Sequence, residues 1–117
     1  MTPEDIVRIQ KDVCNRYGKE YVASPLNMKV GISRDIKSIP INGQRHSLEG
    51  DTTGWYIWTG DDFSDDPDYF LPIHTSHLEV ILPSVLKYLG LPPGWRFLID
   101  DTYEDVWYDP TLLEIED

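Results

Sequence analysis

Several common features are scarce or missing in this 117-residue chain. It has one cysteine, Cys14, so it can form no internal disulfide, which suits a reducing compartment. No apolar run approaches the ~20 residues of a membrane span, and the first residues, MTPEDIVRIQ, lack the basic-then-apolar pattern of a signal peptide. A cytoplasmic location without membrane association is therefore expected. Basic residues almost vanish after residue 48. Residues 1–48 carry five acids against eight Lys or Arg, a net of +3, whereas residues 49–117 carry sixteen acids against Lys87 and Arg96, a net of −14. Such a C-terminal part repels phosphate backbones and excludes nucleic acid as a natural partner. It would instead attract a basic protein and speed its association.

Reaction motifs are also lacking. There is no Gly-x-Ser-x-Gly, no glycine-rich phosphate loop and no dinucleotide fingerprint. His-Glu-x-x-His is absent, and no cysteine cluster exists to hold zinc. No enzymatic activity and no cofactor are expected. Five aspartates lie between Asp61 and Asp68, but a calcium loop needs glycine at its sixth position and glutamate at its twelfth. Counted from Asp61 these are Asp66 and Pro72, so no metal site is expected there. His74 and His77 are three apart and, with nearby aspartates, form the alternative: a metal-dependent hydrolase.

What remains is enough for a fold. Hydrophobic residues make up 40% of the chain and aromatics 12%, so disorder is excluded. A chain of this length buries roughly 65% of its unfolded surface and needs no metal or disulfide to fold. One domain over residues 1–117 is expected. Thr2-Pro3-Glu4-Asp5 reads as a capped helix start, and Ile6, Ile9, Val13 and Tyr17 recur at helical spacing over residues 3–17. Cys14 falls on the apolar face, a structural position.

Met28 to Ser33 alternates as a strand. Pro40 suggests a sheet edge, Asn42-Gly43 a tight turn, and Arg45 to Thr53 a polar loop that leaves His46 on the surface. Gly54 to Thr59 is apolar on both faces, the pattern of a central strand. Leu71 to Ile73 is a short apolar run. Ser76 and Glu79 match a capping box, and Pro83 divides the helical stretch into pieces near 76–81 and 83–89. Leu78, Ile81, Leu82, Val85, Leu86 and Leu89 would supply their packed face. Residues 95–108 read as a hairpin, and residues 111–117 as a weak edge strand. The architecture expected is α+β: a mostly antiparallel sheet of four to six strands, with the N-terminal helix and a proline-broken helical segment packed on it.

The candidate interface is acidic and aromatic. Asp61, Asp62, Asp65, Asp66 and Asp68 form one loop, with Tyr69 and Phe70 directly after it. Asp100, Asp101, Tyr103, Glu104 and Asp105 form a second. Rigid tyrosine and phenylalanine anchors beside carboxylates suit a partner rich in Arg or Lys. Each loop follows a strand opened by Gly-Trp, at Gly54-Trp55 and Gly94-Trp95. Parallel strands would bring the two loops to one end of the sheet as a single patch. Of the four tryptophans, Trp55, Trp58, Trp95 and Trp107, at least two are expected in the core.

Residues Gly54-Trp55-Tyr56-Ile57-Trp58-Thr59-Gly60, then Asp65-Asp66-Pro67-Asp68-Tyr69-Phe70, resemble the tryptophan–glycine and Asp-Asp-Pro box of the thirty-third immunity-protein family, formerly a domain of unknown function. Pro83 to Leu89 and Leu91-Pro92-Pro93-Gly94-Trp95-Arg96-Phe97 are similar to the later helix and strand start of that family. The resemblance covers about residues 28–117. It implies a small α+β protein, found in bacterial polymorphic-toxin loci, that neutralises a cognate toxin without catalysis of its own. A housekeeping domain without a toxin partner is the other role such a resemblance allows.

Overall fold

The computed structural model describes residues 2–34, 39–48, 50–60 and 69–113. It is α+β. Helix α1 (Pro3–Arg16) leads into strand β1 (Lys29–Ser33), then β2 (Ile41–Arg45), β3 (Thr52–Thr59) and β4 (Phe70–His74). A broken helical segment comes next: a 3-10 turn at Thr75–His77, the one-turn helix α2 (Leu78–Ile81) and a 3-10 helix at Pro83–Tyr88. Strands β5 (Trp95–Ile99) and β6 (Glu104–Tyr108) form the closing hairpin, before a last 3-10 turn at Pro110–Leu113.

Helix α1 starts where the sequence predicts. Thr2 caps it and Pro3 occupies the first turn, with a capping box in which the Asp5 amide donates to Thr2 Oγ1 (3.1 Å) and the Thr2 amide to Asp5 Oδ2 (3.2 Å). Ile6, Gln10, Val13 and Cys14 face inward. The second helical segment breaks at Pro83 as expected, but no side chain caps its start: Thr75 Oγ1 donates instead to the Met28 carbonyl at 2.8 Å. Leu78, Leu82, Val85, Leu86 and Leu89 are buried, whereas Ile81 stays 41% exposed because it lies on the outer side of a single helical turn.

The six strands make one sheet in the order β4-β1-β3-β2-β5-β6. Four of its pairings are antiparallel and β1–β3 is parallel, so the sheet is mixed. Strand β3 is central, as its two apolar faces require, and Trp55 and Ile57 join the main core with Val30, Ile32, Phe97 and the helical leucines. Trp58 is buried too, so two of the four tryptophans are core residues.

Strand β2 corrects the sequence reading. Ile41-Asn42-Gly43-Gln44-Arg45 is a strand between β3 and β5, not a turn and the start of a loop. Glycine is there for space: a Cβ on Gly43 would lie 2.1 Å from the ring of Phe97, its partner on β5. Pro40 accordingly sits just before a central strand rather than at an edge, and its carbonyl accepts from the Gly60 amide (2.9 Å). Residues 111–113 are 3-10 rather than strand, and residues 114–117 lie outside the described residues.

The second glycine of consequence is Gly54. Its φ of +87° puts an irregularity in β3, where Lys29 pairs with Thr52 but Gly31 with Tyr56. The His46 carbonyl lies 2.1 Å from where a Cβ would stand, so side chains are excluded by both conformation and space.

Beneath the sheet, the carbonyls of the buried residues Leu86, Leu89, Gly90 and Leu91 lie at and just past the end of a short 3-10 helix and need partners inside the protein. Side chains from across the chain supply the donors. Gln10 Nε2 donates to Leu86 O (2.9 Å), Ser24 Oγ (2.6 Å) and Trp55 Nε1 (3.1 Å) to Leu89 O, and Cys14 Sγ to Gly90 O (3.2 Å). Arg45, fully buried, supplies the most. Its Nε donates to Thr53 O (2.8 Å), its Nη1 to Val22 O (2.7 Å), Leu91 O (2.8 Å) and Leu89 O (3.3 Å), and its Nη2 to Ala23 O (2.8 Å). Burial pushes the guanidinium down to about 10, still well above neutral pH, so the group stays charged and a ring of carbonyl dipoles stands in for a carboxylate partner.

Candidate functional site

Strand direction decides where the candidate residues meet. Strand β2 is antiparallel to both neighbours, so β3 and β5 run parallel, and Thr59 and Ile99 both pair with Ile41. The two strands therefore leave the sheet at the same end, two strand spacings apart, or ~10 Å. Phe70 enters β4 opposite Ser33, the last residue of β1, and so lies at that end as well. Asp61, Asp62, Asp65, Asp66 and Asp68 lie outside the described residues. Tyr69 and Phe70, which come directly after them, and the turn Asp100–Asp105 are described.

Phe70 lies with Tyr56 over Gly31, on the sheet face away from the described helices. Phe70 meets Tyr69 (5.0 Å between ring centres), Tyr56 (5.2 Å) and Trp58 (6.3 Å), edge to face. Tyr56 in turn meets His46 (5.3 Å). His46 is not the free surface residue the sequence suggests: it is half-buried, with Nδ1 3.2 Å from Leu112 O and Nε2 3.0 Å from Gln44 Nε2. Burial lowers its pKa despite the Leu112 contact.

The second turn is more open. Asp100 Oδ1 accepts from the Thr102 amide (2.9 Å) and orders the bend, while Asp101 is exposed. Tyr103 is 52% exposed, its hydroxyl 3.4 Å from Asp105 Oδ2. An open groove of about 340 Å³ runs beside it, with Ser84, Lys87 and Tyr88 on one wall and Ile99 to Glu104 on the other.

Glu104 differs from its acidic neighbours. It accepts from Tyr17 Oη (2.8 Å), from Arg16 Nη2 (3.0 Å) and, through a short contact, from Tyr88 Oη. Burial pushes its carboxyl up, but the two tyrosines and the arginine outweigh this and hold it below the ordinary 4.5. Burial, and the hydrogen bonds they give Glu104, push the Tyr17 and Tyr88 hydroxyls up. Glu104 thus clasps the hairpin to α1 and to the 3-10 helix, while Asp100, Asp101 and Asp105 face solvent. Nothing local in the sequence separates it from those three, since its partners are 87, 88 and 16 residues away.

His74 and His77 lie at the other end of the sheet, where β4 finishes beside Lys29. Both are exposed, with ring centres 5.9 Å apart. The neighbouring Asp51 is engaged by Lys29 at 3.1 Å. Among the described residues no group of three His, Cys, Asp or Glu side chains could hold a metal ion, so the hydrolase alternative is not favoured. No described helix is long and apolar enough to cross a membrane.

Chemically, the described part of this acidic end can attract cations and donate tyrosine hydroxyls. Compared with known proteins, the chain matches the family model described as Imm33-like domain over residues 9–109. No curated protein and no solved structure matches.

Proposed function

Since the chain belongs to the Imm33-like domain family, we propose that it is a non-enzymatic immunity protein, acting in the cytoplasm, that neutralises a basic cognate toxin by occluding it with the acidic, aromatic end of its sheet. The observation that carries this reading is the β5–β6 turn, where Asp100, Asp101 and the exposed Tyr103 ring border an open groove and Asp105 lies exposed beside them. Tyr103 supplies apolar contact with few torsions to freeze, and the carboxylates attract guanidinium and ammonium groups. Asp61–Asp68 extend the acidic surface in this proposal, and Tyr69 and Phe70 anchor it.

The test is co-expression with the product of the open reading frame adjacent to its gene. Growth restored by this chain, and by no unrelated acidic protein, supports the reading. Toxicity unchanged by the chain, with no complex on mixing the purified proteins, sinks it and leaves a role without a toxin.

A further inference from the structure

The two outer strands of the sheet differ in a way that bears on how a partner docks. In an antiparallel ladder, alternate residues turn their N–H and C=O toward the neighbour and the rest turn them outward. For β4 the phase is set by the Arg34 amide donating to Tyr69 O (3.0 Å) and the Thr75 amide to Met28 O (2.8 Å). Residues 69, 71, 73 and 75 therefore face β1, and Phe70, Pro72 and His74 face outward. Pro72 stands in the middle of that outer edge and has no N–H to offer, so a strand cannot pair there without losing a bond.

Strand β6 carries no such block. The Asp100 amide donates to Tyr103 O (3.0 Å) and the Asp109 amide to Gly94 O (2.7 Å). These set residues 103, 105, 107 and 109 toward β5, so Glu104, Val106 and Tyr108 turn their backbone groups outward. No proline or lysine interrupts them, and Tyr108 is 49% exposed.

We propose that the outer edge of β6 accepts an extended, basic strand of the protein partner, continuing the sheet. This deepens the immunity reading and rests on it. Main-chain bonds to Val106 and Tyr108 would give affinity, and alternating side chains specificity. On the helix side the added strand faces half-buried Val106 and favours an apolar residue. On the other side it faces Asp105 and favours Arg or Lys. Charge excludes a second copy as the occupant: β6 lies in the part of the chain that carries sixteen acids against two bases, and two such edges repel.

The test uses the protein encoded by the adjacent open reading frame, inactivated, with amide hydrogen exchange followed residue by residue. In the free chain the Asp105 and Trp107 amides are protected and those of Val106 and Tyr108 exchange quickly. In the complex Val106 and Tyr108 become protected as well. Val106→Pro, which removes an outward N–H and no bond to β5, weakens binding by about tenfold or more, the scale of a main-chain bond with its desolvation. Asp105→Lys weakens it and reduces its salt sensitivity. Should Val106→Pro fail to fold, exchange in the natural complex decides. A complex that leaves Val106 and Tyr108 exchanging as before overturns strand addition and spares the immunity reading. Protection of those amides in a homodimer without partner overturns the proposed occupant. No complex and no rescue overturns both.

Discussion

Replacing Arg45 by methionine tests whether the polar knot under the sheet holds the fold. Methionine fills similar space and offers no donor. Val22 and Ala23 lie near the surface, so water can reach their carbonyls. Leu89 O keeps Ser24 and Trp55. Thr53 O and Leu91 O, buried, lose the bonds that Arg45 makes to them. Each buried carbonyl left unpaired costs about 1–3 kcal/mol. Removing the cost of burying a guanidinium offsets part of this, so the net loss expected is ~3 kcal/mol, near the value for breaking a buried charged network. For a chain of this size that is a fall in Tm of ~12 °C. Arg45→Lys should do no better: an ammonium has three donors, no fork, and a tighter hydration shell to shed. Urea unfolding followed by tryptophan fluorescence measures both. Methionine within about 1 kcal/mol of the natural chain, or full rescue by lysine, would refute the reasoning, the first by showing that the carbonyls find other partners and the second that charge without geometry suffices.

Three further variants probe the same structure. Gly43→Ala drives a methyl into the Phe97 ring and should cost ~1–3 kcal/mol as an overpacked core, read in the same urea assay. Glu104→Gln should weaken the clasp and flatten acid unfolding. The Glu104 carboxyl is depressed below 4.5, so its contribution is present above that pH and is lost as pH falls through the lower folded value; the variant and the natural chain should converge in stability once the pH lies below that folded value, and an unchanged acid limb would remove Glu104 from that role. Neutralising Asp100, Asp101 and Asp105 together to asparagine should leave Tm within a few degrees, since exposed charges contribute little. It should slow partner association and flatten its salt dependence in stopped-flow measurements, and a collapse of Tm would assign those aspartates to the fold instead.

Much of the architecture was legible because its signals are local. Thr2-Pro3-Glu4-Asp5 marks the start of α1, the apolar faces of residues 54–59 mark a central strand, and Pro83 marks the break between helical pieces. Strand β2 was illegible for the opposite reason. Asn42-Gly43 has the chemistry of a turn, and the need for glycine comes from Phe97, 54 residues later. Arg45 reads as the start of a polar loop because the carbonyls it serves come from residues 22–23, 53, 89 and 91. The acidic turn at 100–105 was visible as composition, but the withdrawal of Glu104 from it depends on Tyr17 and Tyr88.

The order of the strands separates two jobs. The β5–β6 hairpin joins the sheet through β2 alone, on the flank away from β1, β3 and β4. Its turn can change sequence without altering the pairings that hold those strands together. Framework and recognition are thus carried by separable stretches of chain. A population of related proteins could diverge in partner choice at residues 100–103 while retaining one scaffold, because each exposed substitution there perturbs stability by only about half a kcal/mol. Grafting a different acidic turn between Ile99 and Glu104 should therefore yield a folded protein of altered preference.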